Sequence, residues 1–470
     1  MKIFDFDKFL IFLLPIFFIC TSLFFNLKIL LLSTFLIIFI LSYEFIIYKK
    51  NLLFGFKGLA FLTFPSIILS TFTIFISIPS IYVCYIYEFD HNTIPYFISI
   101  LSFYIFYPIG LNTGFFIKNI DTKKLLKMKE KKIDLIDNYN INFEILLIVF
   151  SFSIFIIINY LIQIKEIPLF ELIQNPGDYA RLALLREQAL KTLGLSSIEK
   201  YLFIWTRSLF LPFGIVGSLF LADNFNKRKY WILFWSFFLI GVFINSITLE
   251  KSPIATIFFI IVIYFYIKKN NISINNFLFY IVIVMFIPFL ISFFLHFGKS
   301  NVFEVVINSL LYRIFIIPSE VLYQYFNIFP DLHDFLDGRS SQLFSWLHQD
   351  GTFPLSNYVA KIWWKDPFTS GSCNANYIGN FYADFGILGV FISTYIVGIL
   401  THLFYYKLLF VVAYKKNFLY VSSTAVVIPI FTFGFFSSNF TTLFITRGLV
   451  LLYLLFIFFH ILRNNTIKHK

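Results

Sequence analysis

Long apolar stretches recur from one end of this 470-residue chain to the other. An α-helix needs roughly 17 to 25 mainly apolar residues to cross a hydrocarbon core of about 30 Å. Stretches of that kind begin near residues 9, 29, 58, 94, 143, 201, 230, 253, 275, 379, 418 and 444. The pattern predicts an all-α polytopic membrane protein with about 12 transmembrane helices, and we treat residues 1–470 as a single integral membrane domain.

The composition argues against a soluble protein. Hydrophobic residues make up 59% of the chain and charged residues 13%, whereas soluble domains have roughly 25% charged residues. The net charge of +12 does not indicate nucleic acid, because the lysines form short clusters between apolar runs. Cys20, Cys84 and Cys373 have no paired spacing, so they predict neither a disulfide framework nor a metal site.

Basic residues set the predicted orientation. With the N-terminus in the cytoplasm, the connections that fall inside contain more than half of the 37 Lys and Arg residues, although nearly all of these connections are short. The densest cluster runs from Lys118 to Lys132. Cytoplasmic loops carry such an excess. We therefore expect both termini to be cytoplasmic.

Two outside segments are much longer than a simple turn. Residues 163–200 form the first extracytoplasmic loop, in which we expect a helix that starts at Asp178 and ends before Gly194. Residues 297–378 form the large extracytoplasmic loop. At 297–330 the apolar stretches are interrupted, so we expect helices that lie in or dip into the outer leaflet. Long loops on one face of a scaffold usually carry the function.

Several cations lie at or near membrane depth, where charge is costly and a functional role is the default hypothesis. Arg207 lies within a span and Lys251 at the start of another, and snorkelling to headgroups is the alternative for both. Arg181 and Arg186 could reach a common ligand across one helix, or face solvent and headgroups.

Arg313 lies inside the apolar stretch LLYRIFII. An isolated cation there needs an anionic partner. Glu320 is the candidate within the chain, and an anionic ligand is the alternative.

The large loop also contains DLHDFLDGRSSQLFSWLHQDGTFP, which combines acids, bases and anion ligands in a short segment. Its candidate residues are His333, Asp334, Asp337, Arg339, His348 and Asp350. Their spacing matches no metal signature. For a single histidine, exposure to solvent or a packing role is the alternative to catalysis.

The entrance to the predicted tenth span combines glycines with polar residues in NANYIGNFYADFGILGV. Gly379, Gly386 and Gly389 have a helix-compatible spacing that would allow close helix packing. The same entrance contains Asn376, Asn380, Tyr382 and Asp384, which packing alone does not explain.

This arrangement resembles the Wzy-type oligosaccharide-repeat-unit polymerases, the O-antigen polymerase family. The likeness covers the whole chain in topology, and at residue level it rests on NANYIGNFYADFGILGV and on the arginines of the two long outside segments. The resemblance implies a GT-C-like membrane glycosyltransferase in the bacterial cytoplasmic (inner) membrane. Such an enzyme joins oligosaccharide repeat units, carried on undecaprenyl diphosphate, into O-antigen or capsule at the outer face.

The resemblance also implies roles for the candidate residues. Arg313 or Arg339 would stabilise the leaving diphosphate, since Arg binds phosphate oxygens in a bidentate manner. If the transfer inverts the anomeric configuration, His348, with Asp350 or His333 as substitutes, would accept the hydroxyl proton. We assign substrate binding to Arg181, Arg186, Arg207, Lys251, Asn376, Asn380 and Tyr382. Lys251 stands in TLEKSP, at a site where related proteins commonly have an Arg that follows a glycine.

Two alternatives remain at this stage. An O-antigen-ligase-like glycosyltransferase would use the same lipid donor with a different acceptor. A polysaccharide flippase or other transporter would have symmetric halves and short loops, which the long outside segments and the lack of a repeat disfavour. The expected partners are the lipid-linked oligosaccharide and membrane lipids, with a chain-length regulator as a candidate, and no nucleic acid. No cofactor or metal is expected.

Overall fold

A computed structural model gives the fold of the chain as helices throughout. It describes residues 27–48, 63–117, 139–164, 166–175, 196–247, 249–269, 301–341, 351–369, 371–414, 418–437 and 447–454, with shorter pieces at 54–56, 58, 181–182, 185, 189, 286, 289–290, 292–293 and 348. Within these residues 83% are helical and none forms a strand.

The α-helices of the described residues are numbered in chain order. They are α1 Leu27–Tyr48, α2 Phe64–Phe72, α3 Ile78–Ile86, α4 Thr93–Ile117, α5 Tyr139–Gln163, α6 Pro168–Gln174, α7 Ser197–Trp205, α8 Leu211–Phe225, α9 Arg228–Ser246, α10 Lys251–Lys269, α11 Val302–Leu311, α12 Ile317–Ile328, α13 Leu355–Trp363, α14 Tyr377–Tyr414 and α15 Phe418–Ser437. Short π-helical turns join three pairs of them: π1 Thr73–Ser77, π2 Thr206–Phe210 and π3 Tyr312–Ile316.

Eight helical segments of the described residues are long and apolar enough to cross a membrane. They are Lys28–Ile47, Pro65–Ile86, Thr93–Ile117, Asn142–Gln163, Ile198–Phe225, Arg228–Ser246, Val302–Ile328 and Tyr377–Leu403. All except Val302–Ile328 begin at or near a predicted start, so the prediction of a helical membrane protein is confirmed. Ser252–Phe265 and Val421–Ile430 are shorter apolar helices. The predicted spans near residues 9, 275 and 444 lie largely outside the described residues, so the number of about twelve stays a prediction.

Val302–Ile328 is the segment in which sequence and structure differ. The sequence predicts interrupted helices in the outer leaflet, and the structure has one helical run of 27 residues that is long enough to cross a bilayer. Pro318 does not end this run, because it lies in the first turn of α12 directly after π3. Glu320 does not end it either, because its carboxylate is buried and hydrogen-bonded.

Each π turn precedes a proline in the first turn of the following helix. Pro79 follows π1, Pro212 follows π2 and Pro318 follows π3. Proline has no amide hydrogen and its ring collides with the carbonyl one turn earlier. A π turn widens the helix at that place and removes the conflict. The sequence therefore keeps three proline-containing segments helical.

The chain divides into two compact units. Unit 1 comprises Met1–Lys129, Leu311–Phe410 and Phe431–Leu443, and unit 2 comprises Glu130–Leu310, Val411–Ile430 and Phe444–Lys470. Both units are built from three separate stretches of the chain. The single-domain assignment for residues 1–470 stays a prediction.

Buried aromatic rings form the core of unit 1. Phe72 stacks on Phe103 with ring centroids 3.9 Å apart, and Phe103 stacks on Tyr107 at 4.7 Å. The hydroxyl of Tyr104 donates to Ser77 Oγ at 2.8 Å, which satisfies a polar group inside the helix bundle. Aromatic pairs contribute about 0.5–1.5 kcal/mol each beyond the area they bury. The many Phe and Tyr residues thus hold the helices by packing.

The structure contains only part of the close helix packing that the glycines of α14 predict. Gly379 packs on Leu322 and Tyr325 of α12. Gly386 instead breaks α14, with φ 64° and ψ −157°, a conformation essentially confined to glycine. A Cβ on Gly389 would meet Phe381 and Phe385, on the other side of the break in α14. Helices α4 and α14 approach each other closely where Gly110 and Gly398 face each other.

In unit 2, the described part of residues 163–200, which the sequence predicts to lie outside, is folded onto the ends of neighbouring helices. Leu172 of α6 packs with Leu182 and Leu249, and Tyr160 donates to the Ala189 carbonyl at 3.0 Å. Ser196 caps α7 in a capping box with Glu199. The helix predicted from Asp178 to Gly194 is described only in part, and both of these residues lie outside the described residues.

Candidate functional site

The candidate site lies where α3 and α12 end and α4 and α14 begin, which we call the polar end of unit 1. Its connections are residues 87–92, 329–341 and 351–376. The large predicted loop thus has a described structure over much of its length. Helix α13 lies within it.

Part of this loop is docked on the first turns of α14. The Leu336 amide donates to the Ala383 carbonyl at 2.9 Å, and the Asp337 amide donates to the Asp384 carbonyl at 3.0 Å. The amide and hydroxyl of Ser340 donate to the Asp384 carboxylate at 3.1 and 2.5 Å. A buried carboxylate is costly unless it is hydrogen-bonded, so Asp384 fixes the loop at this place.

The docked loop brings Arg339 and His348 to the start of α14. Arg339 Nε donates to the Leu336 carbonyl at 3.2 Å, and the Arg339 carbonyl accepts from the Phe353 amide at 2.8 Å. His348 Nε2 lies 2.8 Å from the Asp337 carbonyl, so this nitrogen carries the proton and Nδ1 is the free base site. A cation and a base therefore lie in one compact loop.

His333 has a different environment. Its ring lies against Phe329, Phe353 and Tyr358, with centroid distances of 5.5, 5.1 and 5.3 Å. Its Nδ1 is 2.6 Å from the Asp334 carbonyl. These contacts favour a packing role for His333 over that of a base. Asp350 lies outside the described residues.

Two asparagines at the start of α14 have buried amide atoms without a hydrogen-bond partner among the described residues. Asn376 Oδ1 accepts from the amides of Ile378 and Gly379 at 3.1 and 3.4 Å, which caps α14 and leaves Asn376 Nδ2 unpaired. Asn380, one turn later, has an unpaired Oδ1. Such groups cost about 1–3 kcal/mol each when left unsatisfied. A donor and an acceptor on one helix face fit a single hydroxyl group.

Tyr382 borders this group and is buried. Its ring stacks on Phe326 with centroids 3.8 Å apart and meets Phe335 edge-on at 5.8 Å. Phe335 also packs against Gly386. Tyr382 therefore joins α12, the docked loop and the kink of α14.

Arg313 does not pair with Glu320. The guanidinium is exposed, and the Glu320 carboxylate instead accepts from Tyr87 at 3.1 Å and from Tyr312 at 2.8 Å. The partner that the sequence offers for Arg313 is thus occupied by tyrosines. Arg313 has no ion pair with any other residue that the structure describes.

Outside the spans, hydrogen bonds and burial shift two pKa values at the polar end. Burial, followed by the Glu320 charge, raises the pKa of Tyr87 to about 12. A hydrogen bond with His91, followed by one from Asn92, lowers the pKa of the Asp331 carboxyl. Both effects keep these groups in one protonation state at neutral pH, since Tyr87 stays protonated and Asp331 stays charged.

In unit 2, Arg207 is paired within the protein. Its Nη2 lies 2.8 Å from Glu250 Oε2, its Nε donates to Asn245 Oδ1 at 3.3 Å, and its side chain is 10% exposed. Glu250 also interacts electrostatically with Arg447. Snorkelling is therefore not what holds Arg207. A functional role remains a prediction.

The other predicted residues of unit 2 do not form one described group. Arg181 is half-exposed and pairs with Glu171 at 3.3 Å and with Glu166 at 3.6 Å. Lys251 is the first residue of α10, but its side chain and all of Arg186 lie outside what the structure describes. No group of three or more metal-ligating side chains occurs among the described residues.

Sequence reasoning did not select Glu320, Tyr87, Tyr312 or Asp384 as site residues. Glu320 and Asp384 could have been identified from the sequence, because a charged residue inside an apolar helix suggests a functional role, as it does for Arg313. The tyrosines could not, since this chain has 28 of them.

No protein-family model, characterised protein or solved structure matches the chain.

Proposed function

We propose that this protein is a membrane glycosyltransferase that joins undecaprenyl-diphosphate-linked oligosaccharide repeat units into a surface polysaccharide, at the outer face of the bacterial cytoplasmic membrane. The proposal includes a GT-C-like fold and cytoplasmic termini. Its starting point is the resemblance in NANYIGNFYADFGILGV and in the long outside segments.

The observation that carries the proposal is the docking of the loop on α14. Two groups of candidates that are separate in the sequence, Arg339 with His348 and Asn376 with Asn380, belong to connected parts of the polar end. This combination offers a cation, a base and hydroxyl-binding amides. Glycosyl transfer from a diphosphate to a sugar hydroxyl needs cations that stabilise the leaving group and, if the transfer inverts the anomeric configuration, a base that accepts the hydroxyl proton.

In the proposed mechanism, Arg339 and the exposed Arg313 neutralise charge on the departing diphosphate. Arg313 does not need to leave a carboxylate partner among the described residues before it can bind. His348 accepts the proton of the attacking hydroxyl, which the unpaired amide atoms of Asn376 and Asn380 help to orient. The bond from the donor sugar to phosphate breaks while the new glycosidic bond forms.

Deletion of the gene and complementation with variants test the proposal in cells. We expect Arg339→Ala and Arg313→Ala to abolish long-chain polysaccharide while the protein remains in the membrane, because each removes a cation that the proposed mechanism places on the leaving diphosphate. Arg228→Ala is the matched control, since Arg228 is exposed and lies at a predicted cytoplasmic helix end. Polysaccharide length on a gel is the measurement.

Two outcomes would replace the proposal. If cells without the gene still made long chains but attached none to lipid A, the ligase alternative would be correct. If undecaprenyl-linked units accumulated on the cytoplasmic side, the flippase alternative would be correct.

A further inference from the structure

The polar end of unit 1 contains a second group of side chains that the mechanism above does not use. Its centre is Glu320 of α12, which is 7% exposed. Tyr87 donates to one carboxylate oxygen and Tyr312 to the other, at 3.1 and 2.8 Å. Gln324 Nε2 donates to the Tyr87 hydroxyl at 2.7 Å, and Trp363 also hydrogen-bonds to that hydroxyl. We call these five residues the tyrosine–glutamate cluster.

The central carboxylate has unused acceptor capacity. A carboxylate has about four lone-pair positions, and the two tyrosine hydroxyls occupy one on each oxygen. No Lys, Arg or His of the described residues forms an ion pair with Glu320. A buried carboxylate that is held only by neutral donors can accept further hydroxyl hydrogen bonds.

Two exposed aromatic rings lie beside this carboxylate or next to one of its donors. Tyr312 is 39% exposed, and the neighbouring Tyr82 is 42% exposed. Tyr87 is half-buried and stacks on Tyr323 with centroids 4.3 Å apart, which holds its ring in place. Tyrosine offers an apolar face together with a polar edge.

The negative charge of this region determines which kinds of ligand can bind to it. Among the described residues, this region contains the carboxylates of Glu320 and Asp90, the latter hydrogen-bonded by Tyr323, and no Lys, Arg or His forms an ion pair with either. A diphosphate placed directly against the Glu320 carboxylate would be repelled, because like charges in a partly buried site are unfavourable. A neutral glycan is not repelled. It supplies hydroxyl donors for the carboxylate and apolar C–H faces for the rings.

We propose that the tyrosine–glutamate cluster is a binding site for the neutral, hydroxyl-rich part of a glycan. This inference rests on the proposed function, and within it the cluster holds the sugar part of a repeat unit while the arginines hold the diphosphate. Glu320 accepts two sugar hydroxyls, and the rings of Tyr82 and Tyr312 contact the face of a sugar residue.

Calorimetry on the purified full chain in detergent tests this site. The probe is the free repeat-unit oligosaccharide, released by mild acid from the surface polysaccharide of the host cells, without lipid or phosphate. We expect Glu320→Gln to weaken binding at least about tenfold, since it replaces a charged acceptor by a neutral one. Tyr312→Phe removes one hydroxyl donor to Glu320 but keeps a partly exposed aromatic ring. It should weaken binding by a smaller factor without affecting folding.

A matched control is available in unit 2. Tyr264 donates to Asp223 at 2.6 Å, but Lys268 also pairs with that carboxylate. Tyr264→Phe should leave binding unchanged. Equal affinity of the wild type, Glu320→Gln and Tyr312→Phe for the oligosaccharide would overturn the inference. It would also be overturned if Na⁺ or Mg²⁺ gave binding heat with the wild type but not with Glu320→Gln, while Glu320→Gln still bound the glycan.

The inference and the proposed function fail in different ways. If the gene is required for long-chain polysaccharide but the two variants bind the oligosaccharide normally, only the site assignment is wrong. If the variants lose binding but deletion of the gene leaves polysaccharide length unchanged, the glycan site stands and the polymerase proposal is wrong.

Discussion

Arg207 and Arg313 occupy equivalent positions, because each lies in a π turn at the same distance before a proline. Their surroundings differ. Arg207 has a carboxylate and an amide as partners, whereas Arg313 is exposed and its expected partner Glu320 is bound by tyrosines. The sequence indicated that both charges matter. It could not give the partners, because Tyr87 and Glu320 meet only through the packing of distant helices.

The difference between the two arginines leads to a stability prediction. Glu250→Gln should lower the free energy of unfolding by about 1–3 kcal/mol, because it leaves Arg207 without its charged partner. Thermal unfolding of the purified protein in detergent is the measurement. Glu166→Gln, which removes an exposed partner of Arg181, should change stability by less than about 1 kcal/mol. A larger effect of Glu166→Gln than of Glu250→Gln would contradict this account.

At the scale of elements, the sequence predicted the helices well wherever hydrophobic runs are uninterrupted. At Val302–Ile328 the structure has one continuous helical run where the sequence suggested interrupted helices, for two physical reasons. The π turn makes room for Pro318, and hydroxyl groups from two directions satisfy Glu320. Both compensations come from the folded chain. Similarly, the glycine pattern at the start of α14 indicated packing, but a helix break at Gly386 has no distinct sequence signal.

The break at Gly386 should be essential for the docked loop. Gly386→Ala would force a side chain into a backbone conformation that costs about 1–3 kcal/mol, and the added Cβ would lie 3.2 Å from the ring of Phe335. We expect lower thermal stability and faster proteolysis within residues 331–353. Gly241→Ala is the comparison, because Gly241 is helical and its Cβ would meet only flexible side-chain ends. Equal behaviour of the two variants would argue against a strained break.

At the scale of the whole molecule, the structure describes each of the two units, and the orientation in the membrane remains a prediction from the charge pattern. Membrane-impermeant maleimide can test it. We expect Phe368→Cys, at a position that is 94% exposed, to react in intact cells. Arg228→Cys should react only after permeabilisation. The native Cys84 and Cys373 are buried, so they should contribute little. The reverse labelling pattern would invert the topology.

The activity that we propose for this protein is the formation of glycosidic bonds between lipid-linked repeat units. The most direct test is to reconstitute the full chain in liposomes with undecaprenyl-diphosphate-linked repeat units and to measure glycan length on a gel. We expect a ladder of products for the wild type and for Arg228→Ala, and none for Arg339→Ala. Repeat units that remain single with the correctly folded wild-type protein would contradict the proposed activity.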